Sequence, residues 1–319
     1  MPTAEWICVK RFFTVQRGFG DLWGTIVAFW KEDFNHIEKH CPGVNVAARY
    51  LIYPLFLPQM GCSGSCVYCD QSKISGAADF DLERAVGEVR GFSQRNAGKD
   101  KQVAFYGGSF TALDEDYRSR LLSAIQAVCD GRTTFRVSTH PLYVDHAVLD
   151  WCRKRNIRTI ELGVQDFSTL VLQRSGRGYT GKEAYAAAER VRDAGFELGV
   201  QLMPGLPGWS ADTLQENQAA LAKLKPKYLR LYPLIVIRGT PLEELFRRGD
   251  YVPLSLDEAI RICADYFPLA ELHGIRIIKL GLPSNLAPED IVAGPWHPAF
   301  GDLLRREVAC RLRRTPIKD

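Results

Sequence analysis

From about Arg49 onward, short β-branched and apolar runs alternate with segments whose apolar residues recur at helical spacing. That rhythm predicts repeated strand-helix units around a parallel sheet. The runs predict strands at Tyr50 to Leu57, Gln102 to Tyr106, Thr134 to Ser138, Arg158 to Val164, Glu197 to Met203 and Tyr228 to Ile235, with a seventh near Ile275 to Leu280. Leu82, Ala85, Val86, Val89 and Phe92 share one helical face, as do Leu113, Tyr117, Leu121, Leu122, Ile125 and Val128. Both segments predict helices able to cover the sheet. Thr180 to Glu183 and Ser255 to Glu258 have the spacing of capping boxes, in which hydroxyl and carboxylate satisfy free backbone N–H groups reciprocally. Six such units with right-handed crossovers make a full or partial barrel or an open doubly wound sheet, and periodicity alone does not separate these. Residues 1–48 stand outside the rhythm; they are rich in Trp and Phe and carry neither motif nor linker composition.

Composition narrows the class without naming a partner. A chain of 319 residues suffices for one large α/β barrel, and a formal charge of +4 is too small to imply nucleic acid unless it is locally concentrated. Nine cysteines, an odd number, fit thiol ligands in a reduced, cytoplasmic setting better than a disulfide framework. The apolar stretch Gly18 to Trp30 is interrupted by Asp21 and too short to span a bilayer, so neither a membrane span nor a signal peptide is expected.

Candidate chemistry concentrates after the first strand, in Gly61-Cys62-Ser63-Gly64-Ser65-Cys66-Val67-Tyr68-Cys69. This loop falls at a carboxyl strand end, where barrel enzymes build their sites. Three thiolates separated by Gly and Ser can each take one iron of a cubane and leave the fourth iron open. The alternative is zinc, which wants four protein ligands or three plus water, and no His lies near the loop. Other strand ends carry polar or small residues: Gly107, Gly108 and Ser109 after the second strand, Glu161, Gly163 and Gln165 on one face of the fourth, and Gln201 with Met203 on the fifth. Paired glycines permit close backbone approach to a ligand. Glu161 or Gln165 can accept hydrogen bonds from a ligand, or is simply polar at a solvent-facing strand end. Met203 reads as core more readily than contact, which favours Gln201.

The Cys-x3-Cys-x2-Cys spacing with Tyr68 before its last cysteine resembles the signature of the radical S-adenosylmethionine (SAM) superfamily. The resemblance implies a partial (β/α)6 TIM-like barrel and a [4Fe-4S] cluster on Cys62, Cys66 and Cys69. It further implies reductive cleavage of SAM to a 5′-deoxyadenosyl radical that abstracts hydrogen from substrate. By the same resemblance Tyr68, Gly107, Gly108, Ser109, Glu161, Gln165, Arg177, Gln201 and Tyr232 line the cofactor, with Ser109 standing where many members have Glu.

Within the superfamily the chain looks closest to stand-alone bacterial Elongator-subunit-3-like proteins. The carrying segments are Phe105 to Thr111, Ile160 to Gln165, Arg174 to Thr180, Val200 to Pro207 and Leu231 to Thr240. The expected organisation is an N-terminal segment 1–48, a core barrel 49–240 and a C-terminal extension 241–319, with no room for an acetyltransferase domain. His140-Pro141-Leu142 stands where that branch has Arg-Pro-Asp, which puts in doubt any charged contact after the third strand. The resemblance implies an electron donor such as a flavodoxin or ferredoxin and points to RNA as a substrate. Basic clusters at Arg153 to Arg158, Arg174 to Lys182 and Arg305 to Arg314 can meet phosphates or be solvated helix faces. Two further readings stay open: a non-catalytic RNA-binding relative, and a coproporphyrinogen-oxidase-like enzyme. His297, between Pro295 and Pro298, reads as a turn stabiliser, a proton donor or a substrate contact.

Overall fold

The computed structural model describes residues 51–62, 66–75, 80–281 and 286–314, so the expectation for residues 1–48 lies outside the described residues. Nine strands occur among the described residues: β1 (Leu51–Phe56), β2 (Lys101–Tyr106), β3 (Thr133–Thr139), β4 (Ile157–Gln165), β5 (Glu197–Leu202), β6 (Tyr228–Leu231), β7 (Val236–Ile237), β8 (Arg276–Leu280) and β9 (Ile291–Ala293). Seven of them, β1 to β6 followed by β8, form one sheet in chain order, every neighbouring pair parallel. Chain order equals spatial order, so every crossover advances the same way. A doubly wound sheet reverses direction at a switch point, and this one does not. The curled sheet with helices on its outer side is therefore the partial TIM-like barrel, seven strands wide rather than six.

Strand alternation sorts the two faces. Val103, Phe105, Val137, Ile160, Leu162, Val200 and Leu229 point outward into one core with Val89, Leu122, Ile125, Ala188 and Leu224 of the covering helices. Each large apolar side chain buried there contributes roughly 1.5–3 kcal/mol. Both expected capping boxes form, Thr180 with Glu183 and Ser255 with Glu258, opening the helices Gly181–Asp193 and Leu256–Ala264. The opposite, inner face carries Gln102, Arg136, Glu161, Gln201 and Arg230, hydrogen-bonded to one another across five strands.

One strand expectation needs correction. The run Tyr228 to Ile235 is not a single strand, because β6 ends at Leu231. Pro233 cannot donate to a ladder, and the chain leaves the sheet there. It re-forms as β7, which pairs antiparallel with β9 and brings the segment Ile291–Ala293 beside the barrel mouth.

Candidate active site

The cysteine loop leaves β1 and is fixed from several sides. Val67 donates its N–H to the Ser175 carbonyl at 3.2 Å and accepts from Leu242 N–H at 2.8 Å, which joins the loop to the exits of β4 and β7. Lys73, just beyond the loop, donates to the Arg238 carbonyl at 2.5 Å and lies 3.3 Å from Asp70. Ser109 N–H donates to Met60 O at 2.9 Å and Gln59 N–H to Gly107 O at 2.9 Å, tying the loop to the exit of β2. This contact explains Gly108: a Cβ there would stand 2.3 Å from Met60 O and 2.7 Å from Leu57 O. The lack of a side chain at Gly108 thus serves loop-on-loop packing. Gly107, at φ +87°, supplies the turn.

Each thiol has its own polar neighbour. Cys62 Sγ lies 3.5 Å from Ser109 Oγ, Cys69 Sγ accepts from Gln71 Nε2 at 3.4 Å, and Cys66 Sγ accepts from the Arg177 guanidinium at 3.0 Å. Burial, reinforced by Cys66 and Cys62 nearby, pushes the Cys69 thiol up to about 12, so binding a metal there must displace a proton. Arg177 is buried and fully engaged: Nε donates to Tyr179 Oη at 3.0 Å and Nη2 to Gly163 O at 2.5 Å, while Nη1 also reaches Tyr68 Oη at 3.4 Å. Tyr179 Oη in turn donates to the carbonyls of Gly163 and Val164.

Gln165 ends β4 in a left-handed backbone conformation, φ +67°, where the pairing with β5 shifts register. Such a conformation is uncommon for a residue with a side chain and turns it off the strand's line. Its Oε1 is buried and has no hydrogen-bond partner among the described residues, an acceptor suited to a donor on a ligand. His140 follows β3 with its ring edge-on to Tyr179, centroids 4.8 Å apart. Burial and the Arg177 charge hold the imidazole down to about 3, so it is neutral, and Nδ1 accepts from Leu142 N–H.

The remaining expected residues lie deeper, in a separate cluster. Glu161 is buried, with Oε1 2.6 Å from Arg136 Nη1 and Oε2 2.5 Å from Arg230 Nε. Tyr106 donates its hydroxyl to Oε1 at 3.1 Å and Gln201 Nε2 reaches Oε2 at 3.4 Å. Burial alone pushes this carboxyl upward, but the Arg230 and Arg136 guanidiniums override it and hold Glu161 down at about 2. The expectation that Glu161 stands ready to accept from a ligand is therefore corrected: both oxygens are taken by charged partners. Tyr232 belongs to the same cluster, its hydroxyl accepting from Arg230 Nη1 at 3.1 Å. Arg136 and Arg230 were not anticipated. Their signal was a charged residue flanked on both sides by apolar ones within a strand, Arg136 between Phe135 and Val137 and Arg230 between Leu229 and Leu231. His297 accepts from Ala299 N–H at 3.0 Å, the turn reading of that residue.

Among the described residues, no group of three or more His, Cys, Asp or Glu is placed to hold a single metal ion. A cubane makes no such demand, since each thiolate binds a different iron. The three thiols of one loop, the buried guanidinium donating to one of them and the orphaned Gln165 acceptor fit an iron-sulfur cluster with an organic ligand better than zinc.

The sequence pattern of the Radical SAM superfamily matches residues 56–219, and that of the Radical_SAM C-terminal domain matches residues 226–309. The chain belongs to the radical SAM superfamily. Within it the likeness is to Elongator subunit 3. A tRNA uridine(34) acetyltransferase of Methanocaldococcus jannaschii is 28% identical over 183 residues, 50% of this chain and 34% of that protein. The heme chaperone HemW of Lactococcus lactis is 29% identical over 194 residues, 59% of this chain and 50% of that one. The chain thus spans about a third to a half of the length of these two relatives. The archaeal Methanocaldococcus infernus Elp3 superposes with a TM-score of 0.62 over 82% of this chain and 64% of its own, at 20% identity, a likeness of fold. Among the described residues no helix is long and apolar enough to cross a membrane.

Proposed function

We propose that Cys62, Cys66 and Cys69 ligate three irons of a [4Fe-4S] cluster whose fourth iron takes S-adenosylmethionine. Bound there and reduced, the pair would supply a 5′-deoxyadenosyl radical for removal of a hydrogen atom from substrate. The observation that carries the reading is the arrangement of three thiols on one loop at the carboxyl end of β1, each beside a polar group. The chain's own residues bind and orient. Tyr68 is buried behind the loop, Gly107 and Gly108 hold the loop against the exit of β2, and the free Gln165 Oε1 accepts from a hydroxyl. The Glu161, Gln201 and Tyr232 cluster forms the polar floor beneath.

An RNA substrate is favoured by the relative that acts as a tRNA uridine(34) acetyltransferase. The likeness to a heme chaperone favours a second reading, in which the barrel handles a tetrapyrrole. A flavodoxin or ferredoxin would supply the electron. The test is anaerobic iron-sulfide reconstitution, reduction with dithionite and chromatography of 5′-deoxyadenosine, with transfer RNA present or withheld. Cysteine-dependent 5′-deoxyadenosine supports the reading, and stimulation by RNA selects the first substrate class. A wild-type chain that assembles no cluster under these conditions overturns it.

A further inference from the structure

We infer that Arg177 is a positioning residue that sets the reduction potential of the cluster, raising it through the hydrogen bond to Cys66. The inference rests on the reading that Cys66 is a ligand, and it deepens that reading. Reducing the cluster adds one electron, delivered by an external one-electron donor, and so adds one negative charge to a group already bearing three thiolates. A donor on a ligand sulfur withdraws density from the iron, and a cation beside it stabilises the added charge, so both effects favour the reduced state. Arg177 supplies both at 3.0 Å from Cys66 Sγ, in a buried position where screening by water is weak.

The guanidinium is also held still. Tyr179 Oη accepts from Nε, and Gly163 O accepts from Nη2, which leaves Nη1 aimed at Cys66 and Tyr68. Tyr179 is itself fixed by its bonds to the Gly163 and Val164 carbonyls and by the ring of His140. The hydrogen bonds described for the other two thiols are with neutral groups, Ser109 and Gln71. Among the described contacts, Cys66 is the one ligand with a charged donor.

The experiment is an EPR-monitored redox titration of reconstituted wild type, Arg177→Gln, Arg177→Lys and Tyr179→Phe, with iron and sulfide measured in each. SAM is omitted, so a change in SAM binding does not enter. Arg177→Gln should shift the midpoint negative by at least about 59 mV, a tenfold change in the reduced-to-oxidised ratio for one electron. Tyr179→Phe, which keeps the charge but frees the side chain, should shift it less and with the same sign, and Arg177→Lys should fall between. A full cluster with an unchanged midpoint in Arg177→Gln overturns the inference. If that variant does not fold, an unchanged midpoint in both Tyr179→Phe and Arg177→Lys does so. Failure of wild type to assemble a cluster instead overturns the reading beneath it.

Discussion

Glu161 on β4 and Gly199 on β5 are register partners, and the Glu161 Cγ lies 2.7 Å from where a Cβ at position 199 would stand. The carboxylate reaches Arg136 and Arg230 only because its neighbour has no side chain. Gly199→Ala should therefore push Glu161 out of its bonds and cost about 1–3 kcal/mol, the usual range for overpacking a filled interior. Urea unfolding followed by circular dichroism would measure it. Gly131→Ala, with nothing within 4 Å of its would-be Cβ, should leave the midpoint where it was. Equal effects at the two positions would remove Gly199 from this role.

This pair also marks how far the sequence could be read. The outward faces of the strands, such as Ile160 and Leu162, alternate cleanly, so the parallel class was legible, and so were the strand positions to within a residue or two except at the sixth, which stops at Leu231. The cysteine loop was legible because its chemistry is local. The Arg136, Glu161 and Arg230 cluster was not, because alternation says that two faces differ without saying that the polar one is enclosed. In a curled sheet that face turns inward, and only the closing of the curve brings residues 94 positions apart, Arg136 and Arg230, onto one carboxylate. The packing role of Gly108 was hidden for a related reason: a glycine that makes room for a ligand and one that makes room for the backbone of another loop look the same in sequence.

Replacing Glu161 by Gln leaves Arg136 and Arg230 buried beside one another without their counter-charge. The expected loss is about 3–5 kcal/mol, that of breaking a buried pair from one side. The acid dependence has a definite sign. The folded carboxyl sits at about 2, below its ordinary value of 4.5, so its contribution is complete above 4.5 and disappears as pH falls toward 2. Glu197, held near 2 by Lys227 and Arg158 against the opposing effect of burial, titrates in the same window. Urea midpoints between pH 4.5 and 2 should therefore fall steeply in wild type and less in Glu161→Gln. Glu161→Gln combined with Glu197→Gln should flatten them further, and a wild-type slope in the double variant would contradict the assignment.

His140 makes a separate prediction in a window that opens at higher pH. Its imidazole is held at about 3 against an ordinary 6.5, by burial first and by Arg177 second, so folding favours the neutral ring. Stability from this residue is complete above pH 6.5 and declines as pH drops, with a slope of at most about 1.4 kcal/mol per pH unit. Between pH 6.5 and 4.5 this loss lies above the window of Glu161. His140→Gln should remove the slope between pH 6.5 and 4.5 and lessen that between 4.5 and 3, where the folded imidazole still resists protonation, and leave the loss below pH 3 to the carboxylates. If the slope survives, another group is responsible for it.

The two adjacent glycines after β2 should separate under substitution, because they are glycine for different reasons. Gly107 carries φ +87°, but its would-be Cβ meets nothing closer than 3.5 Å, so Gly107→Ala bears mainly backbone strain, about 1–3 kcal/mol. Gly108 faces backbone atoms that cannot rotate away: Met60 O at 2.3 Å and Leu57 O at 2.7 Å. An alanine there must displace the segment Leu57 to Gly61, and with it Cys62, whose Sγ is 3.5 Å from Ser109 Oγ. Gly108→Ala should therefore lower iron and sulfide per chain after reconstitution well below that of Gly107→Ala, even where the two have similar urea midpoints. The comparison isolates loop placement from global stability. Equal iron loading in the two variants would mean that the cysteine loop does not take its position from the exit of β2.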